Sequence, residues 1–162
     1  MSAKPAKRLS PHLSLIVQYA IEDDALPTRA QIRRWVQAVC RTLHAAAVAI
    51  TVRFVDSDEG RTLNRDYRHK DYATNVLSFG YECDEDNVAG DLVVCLPMLQ
   101  REAQEQHKTL EAHCAHLIVH GMLHLYGFEH EHDEHEAEQM ESLERELMAR
   151  LGYPDPYLDS AH

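Results

Sequence analysis

No stretch of the sequence approaches the ~20 consecutive apolar residues that a membrane span requires. The opening MSAKPAKRLSPH carries basic residues with no apolar h-region behind them. Neither insertion nor export by these signals is expected, which points to the cytoplasm. Paired cysteines are missing as well. Cys40, Cys83, Cys95 and Cys114 lie far apart with no C-x-x-C pair, which excludes a zinc ribbon of paired cysteines and a thioredoxin-like motif. They are expected to be reduced thiols buried as small hydrophobes. Repeats, low-complexity tracts and linkers are also lacking. A chain of 162 residues, 44% hydrophobic and 27% charged, then suits one globular domain with one core. That domain is expected over residues 13–158, behind a basic, flexible arm over residues 1–12.

Positive charge is scarce too. Sixteen Lys and Arg stand against 27 Asp and Glu, a formal net charge of −11, so a polyanionic partner meets net repulsion unless the bases are concentrated. They are: Arg53, Arg61, Arg65, Arg68 and Lys70 fall in one short segment, while acids crowd at Glu82 to Asp86 and from Glu129 to Glu146. A solvated helix face accounts for most runs of this kind.

What is present reads as alternating elements. Leu13 to Tyr19 suits a short strand. Thr28, with Gln31 at the capping-box spacing, opens a helix with Ile32, Val36, Val39 and Leu43 on one face. Val48, Ile50, Val52 and Phe54 alternate with Ala49, Thr51 and Arg53, the period of a half-buried strand. A short polar helix follows between Asp56 and Tyr67, and Asn75 to Phe79 and Leu92 to Leu96 supply two more strands. Pro97 starts a helix. Another runs from about Leu110 to Leu125 and stops at Gly127, and a last one extends from near Asp133 to Leu151, with Ala137, Met140, Leu143 and Leu147 as its buried stripe. The expected fold class is α+β, a small mixed sheet of about four strands with about five helices.

Eight of the twelve histidines lie between His107 and His135, a density that calls for a metal or a special surface. His120 and His124, four apart on a helix, project from one face and can share an ion. Gly127 permits a chain reversal through positive φ that brings His130 back toward them. The string from His120 to His130 fits H-x-x-x-H-x-x-G-x-x-H, the ligand frame of the metzincin peptidases. One group is missing: where those peptidases place a glutamate as general base, this chain has Gly121. Three imidazoles leave a fourth tetrahedral position for a water whose pKa zinc lowers to about 7. The other histidines, His113, His116, His132 and His135, read individually as non-ligands, with His116 placed to support the site from one turn below.

With these residues the chain resembles the YbeY family of bacterial endoribonucleases. The tract His120 to His130 is similar to that family's signature, and Glu136-Ala137, Met140-Glu141 and Glu144 continue the likeness into the last helix. Upstream, Leu63 to Asp71, Thr74 to Phe79 and Gly90 to Val93 resemble its other hallmarks. Departures are Glu129 where aspartate is more usual, Tyr72-Ala73 for the commoner Lys-Pro, and Gly80 for a common proline.

The resemblance implies a zinc-dependent, single-strand-specific endoribonuclease. It would act in ribosomal RNA maturation at the 16S 3′ end and in ribosome quality control, with one zinc per chain on His120, His124 and His130. Its partners would be single-stranded RNA, ribosomal RNA and the small ribosomal subunit, with neither DNA nor a membrane among them. Arg68, otherwise readable as an ordinary surface arginine, becomes the clamp on the phosphate, its guanidinium sharing the developing negative charge with zinc while metal-bound hydroxide attacks. Lys70 and Arg65 are candidates for backbone phosphates, and Tyr67 and Tyr72 for base stacking or core packing. Two alternatives stay open: a non-catalytic zinc-containing ribosome assembly factor, and a metallopeptidase with Glu129 or Glu131 as an unconventional base.

Overall fold

The computed structural model describes residues 12–68, 75–81, 86–128 and 134–158, leaving out the side chains of Tyr67 and Arg68. The elements run β1 (His12–Tyr19), α1 (Arg29–Thr42), β2 (Ala47–Val55), α2 (Ser57–Arg68), β3 (Val76–Gly80), β4 (Asn87–Cys95), α3 (Leu96–Glu105), α4 (Leu110–Leu125) and α5 (Glu134–Leu151). The strands form one mixed sheet in the order β1-β2-β4-β3. β1, β2 and β4 are parallel, and β3 joins the edge antiparallel to β4. The expected α+β class therefore holds. The arm expected over residues 1–12 lies outside the described residues except for His12, which opens β1.

Local chemistry explains most boundaries. Thr28 accepts from the Gln31 amide and Gln31 returns a side-chain acceptor to the Thr28 amide, a full capping box. α1 buries Ile32, Trp35, Val36, Val39 and Cys40. Thr109 caps α4 through the Ala112 amide. β4 begins at Asn87, five residues before the expected Leu92, because Asn87, Ala89 and Gly90 pair along β2 despite offering little apolar side chain, with Val88 the one core residue among them. The expected end at Leu96 shifts too, since Leu96 already begins α3.

α1, α4 and α5 pack together on one face of the sheet, where the main core gathers Trp35, Ile50, Phe54, Leu92, Ile118, Met122, Met140 and Leu147. A smaller cluster of Val55, Leu77, Val93 and Cys95 packs with Leu63, Phe79 and Met98. α4 is enclosed by sheet and helices. Beyond Glu111, each of its residues is buried except His116, His120 and His124, which are half-buried. A helix apolar on nearly all sides belongs in a core, so its one wetter stripe stands out as the place for chemistry. Cys40, Cys95 and Cys114 are buried free thiols, as expected; Cys83 lies outside the described residues. Among the described residues no helix is long and apolar enough to cross a membrane.

Candidate metal centre

The four-residue spacing places His116, His120 and His124 one above another along α4. The rings of His120 and His124 meet edge to face at 4.6 Å, and their Nε2 atoms stand 3.0 Å apart. Two nitrogens bound to one tetrahedral zinc at ordinary bond lengths lie about 3.3 Å apart, so a few tenths of an ångström of ring movement would seat an ion between them. The donor set fits zinc: two imidazoles facing each other through the same ring atom, at a half-open surface.

Immediately after His124 the helix ends in a Schellman motif. The Phe128 amide donates to the Leu123 carbonyl and the Gly127 amide to the His124 carbonyl, with Gly127 at φ +105°. A side chain at 127 would be strained there, whatever space it had. The positive φ expected at Gly127 is present. His130 itself lies outside the described residues, as do Glu129, Glu131 and His132, so the structure brings together two of the three expected ligands. Among the described residues no group of three potential metal-binding side chains occurs.

Gly121, where a metzincin carries its glutamate, lies flat on the sheet. A Cβ at 121 would stand 2.8 Å from Leu92 Cδ2 and 3.2 Å from Ser78 Oγ. The glycine is thus a packing requirement. β3 and β4 fill the volume into which the peptidase base would project.

Behind the histidines lies a carboxylate whose burial the sequence reading missed. Glu144, on α5, is fully buried and is the one buried carboxylate among the described residues. It accepts from His120 Nδ1 at 3.1 Å, from His116 Nε2 and from the Tyr157 hydroxyl at 2.6 Å. Burial pushes its carboxyl up, but hydrogen bonds from His116, His120 and the Tyr157 hydroxyl outweigh burial and hold it at about 2. Burial and the Glu144 carboxylate together push the Tyr157 hydroxyl up, so it remains a donor. Two signals were available: the place of Glu144 in the likeness of the last helix, and its register with Met140 and Leu147 on the buried stripe. On that stripe Ala137 and Leu143 prove only half-buried.

A second buried polar group braces the other end of α4. His113 Nε2 meets Glu102 Oε1 at 2.8 Å, and Asn75 Nδ2 donates to both Glu102 oxygens at 3.2 and 3.3 Å. Burial lowers the pKa of His113, with the Glu102 hydrogen bond opposing it only in part. His113 is therefore a neutral strut between α4, α3 and the start of β3. Asn75 also accepts from the Val76 amide through its side chain.

Of the basic segment, Arg53 forks onto Glu59 at 2.7 and 3.2 Å and reaches Gln18, so its charge is already matched. Arg65 is exposed and contacts Asp66 at 3.4 Å. Arg68 is the last residue of α2. Its side chain, with that of Tyr67, and all of His69 to Thr74, including Lys70 and Tyr72, lie outside the described residues.

Comparison with known proteins places these observations. A family model described as Endoribonuclease YbeY matches residues 18–152. The chain is 55% identical over 147 residues to a Methylobacillus flagellatus protein named endoribonuclease YbeY, covering 91% of this chain and 95% of that one. A Pseudomonas putida protein of the same name is 54% identical over 151 residues, 91% of this chain and 94% of its own. The solution structure of a Thermotoga maritima protein shares the fold at 24% identity and a TM-score of 0.57, over 88% of this chain and 99% of the other.

Proposed function

Since the chain belongs to the endoribonuclease YbeY family, we propose that it is a zinc-dependent, single-strand-specific endoribonuclease. It acts in the cytoplasm in maturation of the 16S ribosomal RNA 3′ end and in ribosome quality control, with ribosomal RNA and the small subunit as partners. The observation that carries the reading is the facing pair of Nε2 atoms on His120 and His124, set on the one wetter stripe of a helix that ends in a positive-φ turn at Gly127.

One zinc per chain would be held by His120, His124 and His130. Bound there, it would supply Lewis acidity and bring the pKa of a water in the site to about 7. His120 and His124 each present a ring nitrogen to the ion. Arg68, at the end of α2, offers a planar guanidinium whose paired N–H groups match two phosphate oxygens and offset the charge that builds on them during displacement. A flexible single strand reaches a half-recessed helix stripe more readily than a duplex does. The packing of Gly121 against Leu92 and Ser78 argues against the usual peptidase route, whose base would occupy that position.

The test is cleavage of a ribosomal RNA fragment, offered single-stranded and annealed to its complement, by wild type and Arg68→Ala. The expected outcome is cutting of the single strand at least about 100-fold faster than the duplex, and loss of about 2.7 kcal/mol or more of transition-state stabilisation in the variant. An Arg68→Ala protein that binds zinc and cuts at full rate would remove Arg68 from the mechanism. Equal cutting of both substrates would remove the single-strand preference.

A further inference from the structure

His120 has two ring nitrogens, and only the one facing His124 can serve an ion shared with it. Its other nitrogen, Nδ1, lies 3.1 Å from Glu144 Oε2. An ionised carboxylate can only accept, so this contact requires Nδ1–H and leaves the lone pair of His120 on Nε2, the atom turned toward His124. The carboxylate is in turn fixed through its other oxygen, which takes the Tyr157 hydroxyl at 2.6 Å and His116 Nε2. The His116 ring nitrogen on the opposite side, Nδ1, is buried with no partner among the described residues. A proton there would be stranded, so His116 carries its proton on Nε2 and donates it to Glu144.

Tyr157 is itself held in place. Its ring stands edge-on to His116 at 5.3 Å and beneath the Arg145 guanidinium, also at 5.3 Å. The Tyr157 amide donates to Asp155 Oδ1 at 2.8 Å, and Lys108 Nζ donates to the Pro156 carbonyl at 2.7 Å. The segment after α5 is thereby tied to both α5 and the α3–α4 turn.

We propose that Glu144, held by Tyr157 and His116, is a positioning residue that locks His120 in the Nδ1–H form and aims its Nε2 at the metal. Metal affinity then depends on Tyr157, acting through Glu144. The inference rests on His120 being a metal ligand. A carboxylate behind a metal-bound histidine fixes ring orientation and raises ligand basicity, and removing such a partner typically costs 10–100-fold in metal affinity.

A network that merely joined α4 to α5 would change stability and leave metal affinity alone, so the two roles separate by experiment. Zinc affinity of wild type, Tyr157→Phe and Glu144→Gln is measured by competition with a chromophoric chelator. The cobalt(II) absorption spectrum and the unfolding temperature of the metal-free protein are recorded beside it. Tyr157→Phe removes one hydroxyl and keeps the ring, so it folds even if Glu144→Gln does not. Glu144→Gln sets an amide N–H against one of three donors. The expected result is zinc binding weakened about 10-fold or more by Glu144→Gln, weakened several-fold by Tyr157→Phe, and altered cobalt bands in both. One zinc per chain bound by all three proteins within twofold affinity, with unchanged cobalt spectra, overturns the positioning role while leaving the metal site intact. Failure of wild type to bind zinc at all overturns the metal reading and this inference with it.

Discussion

A methyl group at position 121 would press on Leu92, which is fully buried, and on Ser78 of the edge strand. Overpacking of this kind costs about 1–3 kcal/mol, against a gain of about 1 kcal/mol from replacing glycine inside a helix. Gly121→Ala is therefore expected to lose about 1 kcal/mol in urea unfolding; a more stable variant would mean that α4 does not sit as close to the sheet as described. The sequence showed that no base stands at 121, yet the reason, contact with β3 and β4, was beyond it, because backbone approach has no signature in spacing alone. The same holds at 144. A glutamate in the register of Met140 and Leu147 reads as a solvated charge on an acidic helix until His116, His120 and Tyr157 are seen to surround it.

Among the elements, α4 carries the most consequence, being clamped at one end by His113 and opened along the other by His120 and His124. The groups facing His113 are Glu102 from α3, Lys108 from the preceding turn and His116 on α4 itself, with Asn75 behind Glu102. Because burial holds the folded pKa of His113 below 6.5, the unfolded chain takes up this proton first as pH falls. The contribution of His113 to stability is full above pH 6.5 and diminishes as pH drops below it toward the folded pKa, by at most about 1.4 kcal/mol per pH unit. Unfolding free energies between pH 7.5 and about 5 should fall more steeply for wild type than for His113→Gln; parallel curves would contradict the neutral strut. Helix starts were the most legible part of the chain, since a capping box is local chemistry. Thr28→Ala is expected to lose about 1 kcal/mol by thermal unfolding, and no loss would mean that the cap is not formed in solution. The start of β4 was not legible, because Ala89 and Gly90 are in the sheet through backbone pairing with β2 and carry almost no apolar signal.

Over the whole molecule, a net charge of −11 must be reconciled with a polyanionic substrate. With Arg53 matched by Glu59, the bases proposed to meet the phosphates are Arg65, Arg68 and Lys70. Phosphate contacts of that kind release counterions on binding, so RNA affinity is expected to fall steadily as salt rises, with a modest slope set by a few contacts. A flat dependence would argue against phosphate-led binding. The α+β class and the pairing of His120 with His124 could both be read from periodicity and spacing, which are properties of single elements. The support behind that pair could not, since it joins α4, α5 and the C-terminal segment across distances in sequence that no local pattern encodes.

Whether the histidine pair on α4 serves a metal that cuts RNA decides the proposed function. It is tested most directly by following cleavage of a single-stranded ribosomal RNA fragment by wild type and His124→Ala purified side by side, before chelation, after it, and after zinc is restored. The account requires wild-type activity that disappears on chelation and returns with zinc, and a variant that stays inactive throughout. Cleavage that survives chelation, or that the variant matches, would contradict it.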